Sequence, residues 1–386
     1  MHRDLIKFPA LLASRLIYRV FMLLPLKEDT ILFSAYQGSQ YTCNPKYLYE
    51  DIRKRFGHAY RAIWVYRKGV VPPFCDGTVR FLSFKHIVAL ATSKYIVTNL
   101  GIEPFFTKRC DQIVVNTWHG GGAYKNTTIG EKVRTSLYRE YARKVRSENT
   151  SFFLSSCQAY TQLLSDAWHA DSKKFLPVGS PRNDVFFDLK KDEKCLEVLR
   201  HLGLSKDFGY LLYAPTFRGQ PQVGFKFKIA DLHLDVRRLL SSCESRFGKP
   251  FKFLFRTHIN TTGWIPTGEY IIDVSDYPDM QELMLVADVF ITDYSSSVWD
   301  WAITEKPGFL YVPDLDSYEK DRGFYTPIET WAFPYAKTND ELNRLVLTYD
   351  ERKAKEKIHE HVKRLGTFEN GTACEKTVKA MGLGAK

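Results

Sequence analysis

The chain has 386 residues, of which 44% are hydrophobic and 15% aromatic. This length allows two domains of ordinary size, and the composition excludes a disordered protein. The formal net charge of +11 indicates an acidic partner, which could be nucleic acid, an anionic membrane surface or a phosphate-rich substrate. The seven cysteines form no C-x-x-C pair and no cluster of metal-binding spacing, so we expect reduced thiols in a cytoplasmic protein and no metal site.

Residues 5–26 are mostly apolar and begin like a signal peptide or a membrane span, but Lys7, Arg15 and Arg19 interrupt them. Inserting the two arginines would cost about 2.5–3.5 kcal/mol each, which cancels nearly all of the roughly 6 kcal/mol gained by the apolar side chains. Arg15 and Arg19 lie four residues apart, on one stripe of a helix. The pattern predicts a membrane-associating amphipathic helix over residues 1–26, lying in the inner-leaflet interface. The alternative is a helix packed on the protein's own core.

From Thr30 onward, short apolar runs alternate with helical patterns. This alternation is typical of a parallel α/β sheet. The strands predicted in this first series are Ile31–Ser34, Ile63–Tyr66, Tyr95–Thr98, Ile113–Thr117, Phe152–Ser155 and Phe175–Val178. The helices predicted between them are Pro45–Arg55, Phe84–Thr92 and Tyr160–Trp168.

A second series of the same kind follows a polar connector at residues 188–206. Its predicted strands are Tyr210–Ala214, Phe253–Phe255, Ile271–Asp273, Val289–Thr292 and Phe309–Val312. Its predicted helices are Leu232–Ser242, Met280–Ala287 and Val298–Thr304. Two series predict two doubly wound, Rossmann-like domains, at residues 27–190 and 205–350, with a helical tail at residues 351–386. Ligands of such sheets bind outside the carboxyl ends of the strands, so the residues that follow each strand are the candidates for a binding site.

The most informative of these strand exits follows Val289–Thr292. Asp293 and Tyr294 predict a tight turn, and Ser295–Ser297 open a helix that also carries Asp300. Free backbone N–H groups and the positive end of the helix dipole would then face one spot, which attracts phosphate. The alternative is that Ser295 acts only as a helix N-cap. Three consecutive serines exceed what a cap needs, and we therefore predict that Ser295, Ser296 and Asp300 bind a phosphate group.

A glycine-rich segment, Trp118–Gly122, follows the predicted strand Ile113–Thr117. Gly120, Gly121 and Gly122 would let the backbone approach a ligand closely and present its N–H groups as a nest. His119 lies at the strand exit, where a general base or a phosphate donor would be placed. The alternative is a histidine with a purely structural role.

Basic and hydroxyl side chains follow several other strands. Arg182 follows Phe175–Val178, and its alternative interpretation is a surface arginine at a capped helix start. Together with the serine turn, these side chains predict a central cleft between the two domains that holds negative charge. The remaining candidates are Pro215, Thr216 and Arg218 after Tyr210–Ala214, Arg256, Thr257 and His258 after Phe253–Phe255, and Arg322 in a later loop.

Residues 125–146 carry seven basic and two acidic side chains. Val133, Leu137, Tyr141 and Val145 recur at helical spacing, which predicts an amphipathic basic helix. It is either an ordinary solvated face or a docking surface for anionic lipid or a polyphosphate acceptor.

The order and spacing of seven motifs, from about Ser34 to Tyr325, resemble the CDP-glycerol glycerophosphotransferase family of teichoic acid primases and polymerases. The segment around Asn44 and Lys46 also looks like the amino-terminal domain of that family. The motifs are Trp118-His119-Gly120, Pro181-Arg182-Asn183-Asp184, Ala214-Pro215-Thr216-Phe217-Arg218, Arg256-Thr257-His258, Ser275-Asp276-Tyr277, Thr292-Asp293-Tyr294-Ser295-Ser296 and Arg322-Gly323-Phe324-Tyr325.

The resemblance implies a GT-B fold, peripheral attachment to the cytoplasmic face of the bacterial membrane, and transfer of a polyol phosphate from a CDP donor without a cofactor. His119 would deprotonate the acceptor hydroxyl, and His258 would steady the reacting phosphate or the leaving group. The acceptor would be linked to undecaprenyl diphosphate, in teichoic acid or capsule synthesis. The side chains expected to hold CDP-glycerol are Arg182, Pro215, Thr216, Arg256, Ser295, Ser296 and Asp300.

Three alternatives remain open at the level of the sequence. The donor could be CDP-ribitol, or the protein could be a GT-B glycosyltransferase that uses a nucleotide sugar. A non-catalytic basic module that binds membranes or nucleic acid is a third possibility. The strand pattern and the lack of any nucleic-acid-binding signature in the sequence argue against that module, and we expect no nucleic-acid partner.

Overall fold

The computed structural model describes residues 2–67, 74–122, 124, 137–216, 234–257, 268–321 and 323–384. The chain divides into two compact units. The first comprises Met1–Gly120, Thr127–Asp184 and Thr367–Lys386, and the second comprises Gly121–Asn126 and Val185–Gly366. Among the described residues, no helix is long and apolar enough to cross a membrane.

The first unit is built on a parallel sheet with the order β3-β2-β1-β4-β5-β6-β7. The strand order reverses between β1 and β4, and such a switch point is where open α/β sheets bind their ligands. The strands are β1 (Lys27–Ser34), β2 (Arg61–Tyr66), β3 (Gly77–Arg80), β4 (Ser93–Thr98), β5 (Ile113–Asn116), β6 (Phe152–Ser155) and β7 (Phe175–Pro177).

Helices cover both faces of this sheet, which is why its strands are almost continuously hydrophobic. In β1, Ile31 and Phe33 pack into one core and Leu32 packs into the other. The helices of the first unit are α1 (His2–Phe21), α2 (Cys43–Phe56), α3 (Phe84–Thr92), α4 (Leu137–Asn149), α5 (Gln158–Trp168) and, from the carboxyl-terminal segment, α13 (Ala373–Ala380).

The second unit repeats the same topology, with a parallel sheet of order β10-β9-β8-β11-β12-β13 and a switch point between β8 and β11. Its strands are β8 (Gly209–Tyr213), β9 (Phe251–Phe255), β10 (Ile271–Asp273), β11 (Val289–Thr292), β12 (Gly308–Tyr311) and β13 (Tyr335–Ala336). Its helices are α6 (Lys191–His201), α7 (Val236–Phe247), α8 (Met280–Val286), α9 (Ser297–Ala302), α10 (Leu315–Asp321), α11 (Asn339–Leu347) and α12 (Glu351–Leu365).

The predicted two-domain α/β fold with parallel sheets is confirmed, and every predicted strand overlaps an observed one. The edge strands β3 and β13 were not predicted. In β3 only Val79 is buried, and β13 has two residues. Neither segment therefore has the apolar run by which a buried strand is recognised.

Helix α1 packs on the first unit through one face and exposes the other. The Tyr18 ring is fully buried 5.5 Å from the ring of Phe106, and the guanidinium of Arg15 donates to Thr107 Oγ1 at 3.1 Å. The opposite face is apolar and open, with Leu16 67%, Ile17 61% and Val20 63% exposed. Packing on the protein's own core therefore accounts for half of the amphipathic pattern and leaves an apolar stripe uncovered.

Candidate active site

His119 lies at the switch point of the first sheet. The carbonyl oxygen of Asn99, the residue after β4, is 3.0 Å from Nδ1 of the imidazole. A carbonyl oxygen can only accept a hydrogen bond, so Nδ1 carries the proton and Nε2 carries the lone pair of the neutral ring. The strand exit thus holds the imidazole in the tautomer that a general base needs.

The turn after β1 faces the same imidazole. The backbone N–H of Tyr36 donates to Asn99 Oδ1 at 2.8 Å, and the Tyr36 ring lies 5.6 Å from the ring of His119. Tyr36 and Gly38 adopt φ of 48° and 81°, and a Cβ on Gly38 would come within 2.8 Å of the Tyr66 backbone. Left-handed backbone at a tyrosine is costly, and such strain clusters at functional sites.

Trp118, a candidate substrate-binding residue as the first residue of the Trp118-His119-Gly120 motif, adopts a left-handed conformation with φ 51°. Its backbone N–H donates to Asn116 Oδ1 at 3.0 Å, and its carbonyl accepts from Asn44 Nδ2 at 3.0 Å. The indole lies 4.7 Å from the Trp168 ring and 4.3 Å from the imidazole of His119. Hydrogen bonds on both of its peptide groups therefore hold the strained residue that precedes the candidate base.

The glycines of this segment have a packing role. Gly120 ends the first part of the first unit, whereas Gly121 and Gly122 belong to the second. A Cβ on Gly121 would lie 2.4 Å from Trp299 Cδ1. One on Gly122, which has a φ of 74°, would lie 2.3 Å from Tyr124 Cε2 and 2.9 Å from the same indole. The close approach of the Trp299 indole in α9 thus requires Gly121, and the Tyr124 ring and this indole together require Gly122.

Tyr124 anchors the same segment in the second unit. It is buried, and its hydroxyl lies 2.7 Å from Nε2 of His361, whose ring is stacked on the tyrosine ring. The carbonyl of Tyr124 accepts from the backbone N–H of Tyr325 at 2.9 Å. Burial lowers the pKa of His361 to about 4, so the ring is neutral near pH 7.

Arg182 is buried within the first unit, with 3% of its surface exposed, so the alternative of a surface arginine is wrong. Its backbone N–H donates to Asn44 Oδ1 at 3.0 Å, and its Nη1 lies 3.3 Å from Cys43 Sγ. The start of α2 therefore contacts both the Trp118 segment and the Arg182 segment. Arg182 reaches this position because the turn after β7 runs directly against that helix start.

The residues around Arg182 fasten the carboxyl-terminal segment. The carboxylate of Asp184 accepts from the backbone N–H groups of Ala373 and Cys374, at 3.0 and 2.8 Å, and so caps α13. The carboxylate of Glu369 accepts from the backbone N–H of Ser180 at 3.0 Å. Burial raises the pKa of Asp184, and these backbone donors oppose the shift. Asp184 of the Pro181–Asp184 motif therefore has a packing role, because it holds the segment 367–386 in place.

Two strand exits of the second unit meet at its switch point through Asp293. This carboxylate is fully buried and accepts from the backbone N–H of Thr216 at 2.9 Å, from Thr216 Oγ1 at 2.7 Å and from the backbone N–H of Tyr294 at 2.6 Å. Pro215, which is buried, precedes Thr216 in the same exit. The sequence predicts only a tight turn at Asp293, because its partner Thr216 lies 77 residues away.

The serine turn follows directly. Ser295 Oγ accepts from the backbone N–H of Ser297 at 3.3 Å, and Ser296 is the N-cap of α9 without a side-chain cap hydrogen bond. In the described part of the chain, no acceptor is found for the backbone N–H groups of Ser295 and Ser296. Helix α9 has only six residues, fewer than predicted, so its dipole is weak, and the predicted attraction for an anion would have to come from the amides themselves.

Arg256 and Thr257 follow β9, beside β8. The backbone N–H of Arg256 donates to the Tyr213 carbonyl at 3.0 Å, and its guanidinium donates to the Tyr277 carbonyl. The backbone N–H of Thr257 donates to Ser275 Oγ at 2.9 Å. Arg256 therefore lies next to the exit that carries Thr216 and is held in part by the loop after β10.

Asp300 is 3% exposed and accepts from Gln281 Nε2 at 3.2 Å. Gln281 is placed by the start of α8, where the Asp279 carboxylate caps the helix through the backbone N–H groups of Gln281 and Glu282. The carboxylate of Asp300 thus points into a buried polar cluster formed by α8 and α9.

Some predicted residues lie outside the described part of the chain: Arg218, His258, Arg322 and residues 125–136 of the basic helix. The described part of that helix is α4, where Val145 is buried and Arg146 Nε donates to the Ile102 carbonyl at 3.1 Å. No group of three or more His, Cys, Asp or Glu side chains among the described residues is placed to hold a metal ion.

Known proteins resemble the chain over nearly its full length. The teichoic acid poly(glycerol phosphate) polymerase of Bacillus spizizenii is 30% identical over 98% of this chain and 98% of its own length. A protein of the same name from Staphylococcus epidermidis is 30% identical over 91% of this chain but only 50% of its own length. A solved structure of a wall teichoic acid polymerase TagF variant soaked with CDPG shares 26% identity and a TM-score of 0.81, over 99% of this chain and 97% of that chain.

A family profile described as CDP-glycerol:poly(glycerophosphate) glycerophosphotransferase matches residues 16–382. This range includes both sheets and every strand exit described above. The chain therefore belongs to the CDP-glycerol:poly(glycerophosphate) glycerophosphotransferase family and is a CDP-glycerol glycerophosphotransferase.

Proposed function

We propose that this enzyme transfers glycerol phosphate to a hydroxyl of a growing poly(glycerol phosphate) chain or of a lipid-linked glycan, at the cytoplasmic face of the bacterial membrane. The observation that carries the proposal is the imidazole of His119, held through Nδ1 by the Asn99 carbonyl at the switch point of the first sheet. The names of the relatives, which are teichoic acid polymerases, support this class of acceptor.

In the proposed step, Nε2 of His119 takes the proton of the acceptor hydroxyl. The acceptor oxygen forms a bond to the phosphorus that bears glycerol. The bond between that phosphorus and the bridging oxygen breaks, and its electron pair leaves with CMP. Such general base catalysis typically contributes about 10²–10⁴-fold to the rate.

The second unit supplies the donor side of the proposal. The backbone N–H groups of Ser295 and Ser296, with the Ser296 hydroxyl, would bind the diphosphate, and Arg256 would add positive charge next to them. The buried carboxylate of Asp293 orients Thr216 towards the same exit. Preorganised donors of this kind stabilise charge that develops in a phosphoryl transfer.

Two buried residues that the sequence predicts to hold CDP-glycerol have a supporting role in this proposal. Arg182 and Asp300 are each 3% exposed, so in this proposal they hold the loops that carry the ligand-binding groups. The roles of Arg218, His258 and Arg322 follow from the family resemblance alone. His258 would steady the reacting phosphate or the leaving group.

The membrane part of the proposal rests on α1. Its uncovered stripe exposes large apolar side chains, including Leu16, Ile17 and Val20, and Arg19 is exposed as well. An amphipathic helix of this kind binds in the lipid interface, and the net charge of +11 favours anionic lipid. A lipid-linked acceptor would then be met at the surface on which the enzyme lies.

The test is a donor and acceptor screen with the purified full-length chain. We expect CMP release from CDP-glycerol with a short lipid-linked acceptor, and products whose masses rise in steps of one glycerol phosphate. Turnover of CDP-ribitol alone would show that the polyol is ribitol. Release of UMP or UDP from a nucleotide sugar would favour a glycosyltransferase, and binding of lipid without turnover of any donor would favour a non-catalytic module.

A further inference from the structure

Asn44, the second residue of α2, uses every polar atom of its side chain at the candidate site of the first unit. It is 1% exposed, and its Nδ2 donates to the carbonyls of Thr117 and Trp118, at 3.1 and 3.0 Å. Its Oδ1 accepts from the backbone N–H of Arg182 at 3.0 Å. One amide therefore joins the segment after β5 to the segment after β7.

The carbonyl of Trp118 belongs to the peptide group that leads into His119. The orientation of this peptide determines the direction in which the imidazole leaves the backbone. Trp118 has a φ of 51°, and such strain persists only where the surroundings enforce it. Asn116 holds the N–H of Trp118 and Asn44 holds its carbonyl, so Asn44 acts on the peptide closest to the base.

The start of α2 is not arranged for the stability of the helix itself. Cys43 has a φ of 62°, and the N-cap residue Thr42 makes no side-chain cap hydrogen bond. A good cap is typically worth about 1 kcal/mol, so its absence is a real loss. The arrangement instead directs the Asn44 amide towards the exit of β5.

We propose that Asn44 is a positioning residue for the catalytic base. It holds the Trp118–His119 peptide at a fixed position relative to the backbone of Arg182. The inference rests on the proposed role of His119 as that base. Asn44 itself does not touch the reacting atoms. Its loss should therefore lower the rate of the chemical step and leave the binding of CDP-glycerol in the second unit nearly unchanged.

Gln112 provides a matched control in the same unit. It is also 1% exposed, and its Nε2 donates to the carbonyls of Leu90 and Ser93, at 2.9 and 2.8 Å. Its Oε1 accepts from the backbone N–H of Arg109 at 3.0 Å. This hydrogen-bond pattern equals that of Asn44, but Gln112 precedes the amino end of β5, whereas His119 follows its carboxyl end. Removing the Nε2 donors of Gln112 should lower the free energy of unfolding by a comparable amount without affecting His119.

The experiment compares Asn44→Asp and Asn44→Ala with Gln112→Glu in the full-length chain. We expect the melting temperature to fall in all three variants. Only the Asn44 variants should lose kcat, by about 100-fold, because a displacement of about 1 Å at a reacting group has this effect. Their KM for CDP-glycerol should change less than about threefold, as for an interaction that acts on the chemical step.

A pH profile gives a second measurement. A protonated carboxyl can donate to one carbonyl again, so the kcat of Asn44→Asp relative to the wild type should rise as the pH falls. The same ratio for Asn44→Ala should stay flat. A structural role would not produce this difference between the two variants.

The proposal is overturned if the kcat of both Asn44 variants stays within about threefold of that of Gln112→Glu, a margin that excludes an effect on the chemical step. It is also overturned if neither Asn44 variant folds while Gln112→Glu does, because Asn44 would then be structural. A His119→Ala variant in the same assay tests the base itself. Near-normal turnover there rejects the proposed function, whatever the Asn44 variants show.

Discussion

The backbone carbonyl of Asn99 accepts a hydrogen bond from Nδ1 of His119 at 3.0 Å, while its side-chain Oδ1 accepts from the backbone N–H of Tyr36 at 2.8 Å. Asn99 thereby ties the exits of β4 and β1 to the imidazole. The second unit has the same device, because Asp293 after β11 accepts from the backbone N–H of Thr216 after β8. In each unit, one fully buried polar residue fixes the switch point from within.

Replacing His119 by alanine should lower the rate of CMP release from CDP-glycerol by about 10²–10⁴-fold, because the acceptor hydroxyl loses its base. The side chain is half-buried, so the melting temperature should change little. His359→Ala is the control, since that histidine is exposed and pairs with Glu305 on the surface of the second unit. Equal rates in the two variants would contradict the assignment of the base.

The sequence predicts the sheets well because their strands are buried on both faces and show as apolar runs. It also places His119 and Ser295 at strand exits, where the structure has them. Asn44 and Asn99 could not be assigned a role, because their partners lie 73 and 63 residues away in the sequence. Such pairings depend on which strands become neighbours, and no local pattern encodes that.

Gly121 and Gly122 show a second limit, in which a clear sequence pattern has more than one possible structural cause. The sequence predicts an anion nest at Gly121 and Gly122, since consecutive glycines permit one. In the structure they lie against the Trp299 indole. A glycine required by a nearby ring and a glycine required by a ligand look alike in a sequence, and only the position of the indole distinguishes them.

Gly121→Ala should therefore destabilise the second unit by about 1–3 kcal/mol, the usual cost of overpacking. The added Cβ would lie 2.4 Å from Trp299 Cδ1, and the neighbouring helix would have to shift. Thermal unfolding monitored by tryptophan fluorescence measures the effect. Gly77→Ala is the control, because no atom of the residues that the structure describes lies within 4 Å of its added Cβ.

A smaller side chain at position 299 should reduce this cost if the clash is its cause. The double variant Gly121→Ala with Trp299→Leu should lose less stability than the sum of the two single variants, as expected for residues in contact. Additive losses would show that the indole is not what excludes a side chain at Gly121.

The stability of the second unit should depend on pH through His361. Burial lowers the pKa of this histidine from 6.5 to about 4. Between these values the unfolded chain binds a proton that the folded chain does not, so stability is full above pH 6.5 and falls as the pH drops towards 4. The loss should reach about 3 kcal/mol, from roughly 1.4 kcal/mol per pKa unit.

Urea unfolding at pH 7.5 and pH 5 measures the part of this loss that falls above pH 5, about 2 kcal/mol from the 1.5 pH units below 6.5. In a His361→Gln variant the decrease should be smaller, because glutamine keeps an acceptor for the Tyr124 hydroxyl and does not titrate. His86 in the first unit has a pKa lowered to about 4 for the same reason, so some pH dependence should remain. An unchanged decrease in the variant would exclude His361 as a source.

Glutamate at Leu16 and Val20 should release the enzyme from anionic vesicles without unfolding it. Both side chains lie on the uncovered stripe of α1 and are 67% and 63% exposed, so the folded chain loses little packing. Full burial of each apolar side chain in the lipid interface would contribute about 1.5–3 kcal/mol, and the added charges repel anionic lipid, so binding should weaken more than about 100-fold.

Sedimentation with vesicles of phosphatidylglycerol and phosphatidylcholine measures this binding, and thermal unfolding verifies the fold. Leu347→Glu is the control, because Leu347 is 48% exposed but belongs to α11 in the second unit. A double variant that sediments as the wild type does would show that this stripe is not the membrane contact. A loss of sedimentation with an unchanged melting temperature would assign the contact to α1, since the same substitutions leave the packed face around Tyr18 intact.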